Sequence, residues 1–139
     1  KCEQGLMPLA AYEDLSSFKL YFSDTGLFNS RLQLTKQSLA AARQYMGALT
    51  ENYVAIQLKA NGYKLNYWTS TATAEVDFVI VQNGEVVPIE CKANIHVKSK
   101  SLDSFVKRYG IKQSIRLSMR NFGFENNIKS VPLYAAFCV

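Results

Sequence analysis

The dipeptide Asn83-Gly84 constrains the fold of this chain more than any other feature of its sequence. It lies between two segments rich in β-branched residues, 74–82 and 85–92. In that setting Asn-Gly is a strong signal for a β-hairpin with a two-residue turn. Because so short a loop also fixes which strand residues face each other, the sequence predicts an antiparallel hairpin of defined register.

That register brings charged residues together at the open end of the hairpin. Asp77 is predicted to face Glu90, and Glu75 to face Lys92, with all four side chains on one face. The opposite face is expected to be apolar core and consists of Val76, Phe78, Ile80, Val87, Ile89 and Cys91. Two carboxylates about 5 Å apart repel by roughly 3 kcal/mol at an effective dielectric constant of about 20. The Asp77–Glu90 pair therefore needs compensation.

Several kinds of compensation are open. Lys92 can offset part of the repulsion, one acid can be protonated, or a divalent cation can bind both carboxylates. Hard cations such as Mg²⁺ or Mn²⁺ take carboxylate oxygens, backbone carbonyls and water. Lys92 beside such an ion could lower the pKa of an attacking water or stabilise negative charge, which suits phosphodiester hydrolysis. The alternative is a surface ion pair between Glu75 and Lys92, which contributes at most about 1 kcal/mol.

Hydrophobic periodicity and turn residues predict the other elements of the fold. They are a strand within residues 14–24, a helix over 35–60, a strand over 63–69, a helix over 102–109, and strands over 113–119 and 131–139. Asp24 is interpreted as a helix N-cap, because Asp is a preferred residue there. The order of elements predicts an α/β or α+β fold, with helices flanking one central mixed sheet.

Length and composition indicate one folded domain. The 139 residues, 48% apolar and 19% charged, suit a single globular unit over 1–139 and exclude disorder. We divide that unit into an N-terminal lead-in, 1–47, and a core, 48–139. No apolar run approaches the roughly 20 residues of a membrane helix, so we expect a cytoplasmic protein with no membrane partner. Because the chain opens at Lys1 rather than Met, we expect it to be a piece of a longer protein.

Positive charge is concentrated in the last third of the chain. Residues 1–93 carry eight Lys and Arg against nine Asp and Glu, whereas residues 94–139 carry eight against two. Such asymmetry suggests an anionic partner, first of all nucleic acid, although a solvated helix face explains it equally well. Contacts to phosphates would give salt-dependent affinity without sequence specificity. The candidates for these contacts are Lys98, Lys100, Lys107, Arg108, Lys112, Arg116 and Arg120.

The placement of Asp77 in the second strand and of Glu90-Cys91-Lys92 in the third resembles the PD-(D/E)xK, restriction-endonuclease-like fold. More closely, the chain resembles a C-terminal domain of uncharacterised function that is attached to prokaryotic AAA-type ATPases. The segments that carry this closer resemblance are residues 19–27, 51–55, 67–68, 75–78, 88–93, 100–102 and 132–134. Val76, rather than Pro, precedes Asp77 here.

The resemblance implies a helix-β-β-β-helix-β core and a set of site residues. Asp77 and Glu90 would hold Mg²⁺ or Mn²⁺, the carbonyl of Cys91 would complete the coordination, and Lys92 would assist the attacking water. Glu51, on the helix before the first strand, would add another acid, although a plain helix-surface position is an equal alternative. The implied function is a metal-dependent nuclease-like domain.

The resemblance also implies partners. They are nucleic acid, DNA more than RNA, the ATPase module of the same chain, and further copies of the protein. No Gly-x-x-x-x-Gly-Lys-Ser/Thr loop occurs, so we expect no ATP hydrolysis by this chain. The alternative function is a catalytically inactive module that binds nucleic acid or docks against the ATPase.

Overall fold

The computed structural model describes residues 1–33, 35, 38, 43–71, 73–95 and 100–139, and shows a six-stranded mixed sheet flanked by helices. The α-helices are α1 (Thr25–Arg31), α2 (Arg43–Ala60) and α3 (Lys100–Tyr109). The strands are β1 (Asn66–Thr69), β2 (Glu75–Gln82), β3 (Glu85–Cys91), β4 (Ser114–Ser118), β5 (Gly123–Glu125) and β6 (Ile128–Pro132). Two 3-10 helices span Leu9–Tyr12 and Leu133–Cys138. None of the helices described is both long and apolar enough to cross a membrane.

The strands are arranged in the order β1-β2-β3-β4-β6-β5. β3 pairs parallel with β4, and β4 pairs parallel with β6, while the other neighbours are antiparallel. The succession α2-β1-β2-β3-α3-β4 therefore has the predicted order of helix, three strands, helix and strand. The prediction of one central mixed sheet flanked by helices is confirmed.

The hairpin has the predicted turn and register. Asn83 and Gly84 have φ angles of 52° and 79°, as a two-residue turn with both central residues in the left-handed region requires. Gln82 faces Glu85, and the pairing continues in step to Phe78 and Ile89. The register predicted from the turn is confirmed over this whole length.

Two predicted strands differ from the structure, and one strand was not predicted. Residues 14–24 form no strand, and Asp24 caps α1 by accepting a hydrogen bond from the Leu27 amide at 2.8 Å, which confirms its predicted role. Residues 131–139 are mostly a 3-10 helix, of which Ala135 and Ala136 are buried in the core, so their continuous hydrophobicity does not indicate a strand. β5 was not predicted, although Asn126 and Asn127, both with positive φ, form its turn into β6. The N-terminal part of the predicted 35–60 helix includes residues outside those described.

Both faces of the hairpin are buried, so the prediction of one polar face is wrong. The α2-side core contains Val54, Leu58, Phe78, Ile80, Val87, Ile89, Ile115 and Leu117. The α3-side core contains Trp68, Val76, Val79, Val86 and Phe105. Helices cover both sides of the sheet, as the order of helices and strands requires.

A β-bulge in β2 explains why simple alternation fails. Asn66 of β1 pairs with Val79, and Trp68 pairs with Val76. Two residues of β2, Asp77 and Phe78, therefore stand against one residue of β1. The extra residue puts Val76 on the same side as Val79, in the α3-side core rather than on the predicted face. Asp77 lies at the point where the direction of the side chains changes.

Candidate metal and active site

Asp77 lies on β2, and its carboxylate reaches across to β3. The backbone pairing of β2 with β3 ends at Phe78 and Ile89, and beyond it the Asp77 carboxylate accepts a hydrogen bond from the Cys91 amide at 2.7 Å. Burial and the nearby charge of Glu90 raise the pKa of Asp77 to about 7, with a smaller contribution from Glu51. Asp77 therefore interacts electrostatically with acids on both β3 and α2.

Glu90 is a buried acid with one satisfied oxygen. Its Oε1 pairs with Lys92 Nζ at 2.5 Å, while its Oε2 is buried and has no hydrogen-bond partner among the described residues. Burial alone would lower the pKa of Lys92, but the hydrogen bond to Glu90 raises it above its ordinary value. Lys92 is therefore a protonated donor at neutral pH. Glu75, the predicted partner of Lys92, pairs with Lys19 instead, so the Glu75–Lys92 ion pair is not formed.

Glu51 faces the N-terminal lead-in from α2. Lys19 Nζ donates to Glu51 Oε1 at 2.8 Å, and the Tyr21 hydroxyl donates to the same oxygen at 2.6 Å. The Lys19 ammonium also pairs with Glu75 at the start of β2, and it lies 5.0 Å from the centre of the Tyr67 ring. Lys19 therefore joins the helix to the strand that carries Asp77.

The segment that carries Lys19 and Tyr21 is anchored to α2. Asn52, which is buried, accepts a hydrogen bond from the Phe22 amide at 2.7 Å and donates to the Phe22 carbonyl at 3.3 Å. The Tyr21 ring packs against Phe78 with ring centres 5.8 Å apart. Sequence reasoning missed Lys19 as a site residue, and the one available signal was its place in the first segment of the family resemblance.

The four charged side chains predicted for one face are divided between two sides. Ile89 lies in the α2-side core and Cys91 packs against it, so alternation directs Glu90 toward the α3 side. Glu75 contacts Lys19 and belongs to the group around Glu51. The single-face prediction is therefore wrong, and Asp77 lies between the two groups.

The donor set suits a hard divalent cation in its chemistry. Carboxylate and carbonyl oxygens are the ligands such ions prefer. The Oε2 of Glu90, which has no hydrogen-bond partner among the described residues, is available to bind a cation. Within the described residues, however, no three or more His, Cys, Asp or Glu side chains are grouped as they would be around a metal ion. Lys19 and Lys92 contact the acids of this region.

Among the predicted nucleic-acid contacts, Arg116 lies nearest to these acids in the sheet. It stands opposite Glu90 in the parallel β3–β4 pairing, and its buried Nε has no hydrogen-bond partner within the described part of the chain. Arg120 is exposed and donates from Nε to the Ile95 carbonyl at 2.9 Å. Arg116 is thus in line with the candidate site.

The other predicted basic contacts lie elsewhere. Arg108 lies over the rings of Trp68 and Tyr109, and Lys112 pairs with Glu85 beside the hairpin turn. Lys100 and Lys107 are exposed on α3, and Lys98 lies outside the described residues. The described residues of this group are distributed over the surface around α3 and the turn.

Comparison with known proteins identifies the family. The chain belongs to the family described as a domain of unknown function, DUF4143, whose sequence profile matches residues 46–136. This match confirms the resemblance to a domain of uncharacterised function. A search of curated proteins gave no match, and a search of solved structures gave none either.

Proposed function

We propose that this domain is a Mg²⁺-dependent, nuclease-like domain of the PD-(D/E)xK type that acts on nucleic acid. The observation that carries the proposal is the pair of acids at the open end of the hairpin, of which Glu90 is buried and Asp77 half-buried. The carboxylate of Asp77 accepts a hydrogen bond from β3, and its pKa is raised by burial and by Glu90, while Glu90 retains an oxygen without a partner among the described residues. A divalent cation would satisfy that oxygen and compensate the repulsion between the acids.

Each residue has a distinct role in the proposed reaction. Asp77, Glu90 and the carbonyl of Cys91 would hold the ion, which supplies a water of lowered pKa and polarises the phosphate. Lys92, held protonated by its contact with Glu90, would stabilise negative charge on a phosphate oxygen. Glu51 would act through Lys19, which it contacts, and not as a metal ligand.

The proposed partners follow from charge and from the family resemblance. The basic last third of the chain favours a polyanion, and Arg116 opposite Glu90 would contact a phosphate next to the ion. We propose DNA as the substrate, because the resemblance is to restriction-endonuclease-like enzymes. We also propose an AAA-type ATPase module as the partner that delivers it.

A second candidate function is favoured by the ion pairs of the site. Lys19 contacts Glu51 and Glu75, and Lys92 contacts Glu90, so three of the acids are already in contact with a lysine. Such pairing suits a module that has kept the fold to bind nucleic acid, or to dock on the ATPase, without cleaving. This candidate predicts binding that does not depend on a divalent cation.

A cleavage assay separates the two candidates. Single- and double-stranded DNA and RNA are incubated with the chain and Mg²⁺ or Mn²⁺, beside Asp77→Ala and Lys92→Ala. Asp103→Ala and Lys64→Ala are the matched controls, because both residues are exposed and neither belongs to the site or to the candidate phosphate contacts. Cleavage lost in the first two variants and kept in the controls is the expected result. Equal cleavage in all variants, or binding without cleavage of any substrate, would remove the nuclease proposal.

A further inference from the structure

The edge strand β5 and the residue before it carry two exposed aromatic side chains. Phe122 is 58% exposed and Phe124 is 68% exposed. Neither ring contacts another aromatic ring of the described residues. β5 lies at the end of the sheet, next to β6. Two phenylalanine rings this close together at an open edge offer flat apolar faces to a binding partner.

The side of β5 that presents Phe124 is positively charged. Phe124 stands opposite Lys129 in the antiparallel pairing with β6, so the two side chains lie close together on the same side of the sheet. Glu125 is the next residue along β5, and alternation directs it to the other side. Lys129 forms no ion pair with a described residue, so its ammonium is available to an anion.

Arg120 adds a second positive charge, two residues before Phe122. Its Nε donates to the Ile95 carbonyl, and its guanidinium has no acidic partner in the part of the chain that the structure describes. Exposed aromatic rings among positive charges are typical of surfaces that bind single-stranded nucleic acid, because bases stack on the rings while phosphates pair with the cations. A second copy of the chain could also cover the rings, but it would bring the positive charges of two copies together.

We infer that β5 binds unpaired nucleotides, with the rings of Phe122 and Phe124 stacked on bases and with Arg120 and Lys129 in contact with phosphates. The inference rests on the proposed function and specifies its substrate as single-stranded nucleic acid. In a duplex each base is already stacked between its neighbours, so a protein ring finds a free base face only where the strands are separated.

The rings lie beside the candidate site and not within it. Gly123 of β5 lies in the same row across the sheet as Glu90, three strands away. Three strand spacings of about 4.8 Å put these two backbone positions roughly 14 Å apart. Lys129 pairs with Ile115 of the α2-side core, so Phe124 lies on that side, whereas Glu90 is directed toward α3. The rings therefore hold nucleotides that flank the one at the candidate site.

Fluorescence anisotropy of a labelled oligothymidylate, with the whole chain in a chelator at fixed low salt, tests the inference without metal or cleavage. We expect the wild type to bind this single strand more tightly than its duplex with oligoadenylate. Phe124→Ala should bind the single strand about ten-fold more weakly, as expected for the loss of one base stack, and the duplex unchanged. Phe124→Trp, which keeps a ring, should bind like the wild type. Phe137→Ala is the matched control, because Phe137 is 60% exposed but lies on the 3-10 helix Leu133–Cys138, and it should change neither affinity.

Two results would overturn the inference. They are a wild type that binds the duplex at least as tightly as the single strand, and a Phe124→Ala chain with unchanged circular dichroism and unchanged affinity for the single strand. If that variant instead dissociates a dimer in sedimentation velocity, the rings belong to an interface between copies. The outcome for the proposed function is separate. Weaker single-strand binding by Phe124→Ala, with no cleavage of any substrate in Mg²⁺, would support the role of Phe124 and remove the nuclease proposal. Cleavage that needs Asp77 and proceeds equally in Phe124→Ala would do the reverse.

Discussion

The two ends of the β2–β3 hairpin place their charged residues in opposite environments. The closed end is the turn at Asn83-Gly84, and the open end is the part around Asp77 and Glu90. At the closed end, Glu85 pairs with Lys112 in full contact with solvent, next to a turn of regular geometry. At the open end, Asp77 and Glu90 are held in or beside the core, where a bulge interrupts the ladder. The closed end and the body of the hairpin stabilise the fold. The open end destabilises it, because burying carboxylates next to each other is unfavourable. Groups of that second kind are concentrated at functional sites.

The body of the hairpin should show the largest effect on stability. Ile80→Ala removes a fully buried side chain from the α2-side core, and we expect it to lower the free energy of unfolding by about 4 kcal/mol. Urea denaturation measures the change. Val81→Ala, at an exposed position on the same strand, is the control and should change stability by less than about 1 kcal/mol. Equal losses in the two variants would contradict this distinction between buried and exposed positions.

At the open end, the titration of Asp77 should make the free energy of unfolding depend on pH. In the metal-free protein the pKa of Asp77 is about 7, against 3.8 for an ordinary Asp, so the folded chain keeps its proton where the unfolded chain has lost it. The contribution of Asp77 to stability is therefore largest below pH 4 and falls as the pH rises to 7. The loss is about 1.4 kcal/mol per pH unit within this window, or about 4 kcal/mol in all.

Asp77→Asn is the reference for that measurement, because it keeps the size of the side chain and removes the titration. Urea unfolding in the presence of a chelator should show the wild type losing stability relative to Asp77→Asn between pH 4 and 7, and no further loss above pH 7. A difference that does not change with pH would mean that Asp77 is not a buried acid next to Glu90.

The turn should give a smaller effect. Gly84 has a φ of 79°, a conformation that costs a side-chain-bearing residue about 1 kcal/mol, so Gly84→Ala should be destabilised by that amount. Gly123→Ala is the matched control, since a Cβ there meets no atom within 4 Å and the backbone is ordinary. Thermal unfolding of the two variants should differ accordingly, and identical melting curves would contradict the turn geometry.

The exposed ion pair at the closed end should have the smallest effect. Lys112→Ala breaks the pair with Glu85, which is surrounded by solvent, and stability should stay unchanged within error. Lys92→Ala at the open end should destabilise the protein clearly, because it leaves the buried carboxylate of Glu90 without its counter-charge. If Lys112→Ala costs as much as Lys92→Ala, the two ends do not differ as described.

Local sequence signals were sufficient to predict the hairpin, but they were not sufficient to predict how the site residues are arranged. Asn83-Gly84 defines a turn, and the turn defines a register, so the pairs from Gln82–Glu85 to Phe78–Ile89 followed from sequence. The bulge at Asp77 depends on how β1 pairs with β2, which no pattern within the hairpin records. The assignment of faces failed there, because one extra residue reverses every side chain beyond it.

Long-range contacts were equally hidden. Lys19 and Glu51 are 32 residues apart, and their pairing depends on Asn52 anchoring the lead-in to α2. The apolar stretch after Pro132 was misread because a buried 3-10 helix and a buried strand have similar composition. By contrast, Asn126-Asn127 was a local turn signal that would have revealed β5 and β6.

The location of a bound Mn²⁺ by anomalous diffraction tests the central claim most directly. The account predicts one anomalous peak in crystals of the wild-type chain, in contact with the carboxylates of Asp77 and Glu90 and the carbonyl of Cys91. Lys19 should still bridge Glu51 and Glu75 in those crystals. Crystals soaked in excess Mn²⁺ with no peak there, and with the Glu90–Lys92 pair intact, would contradict the claim that this end of the hairpin is a metal site.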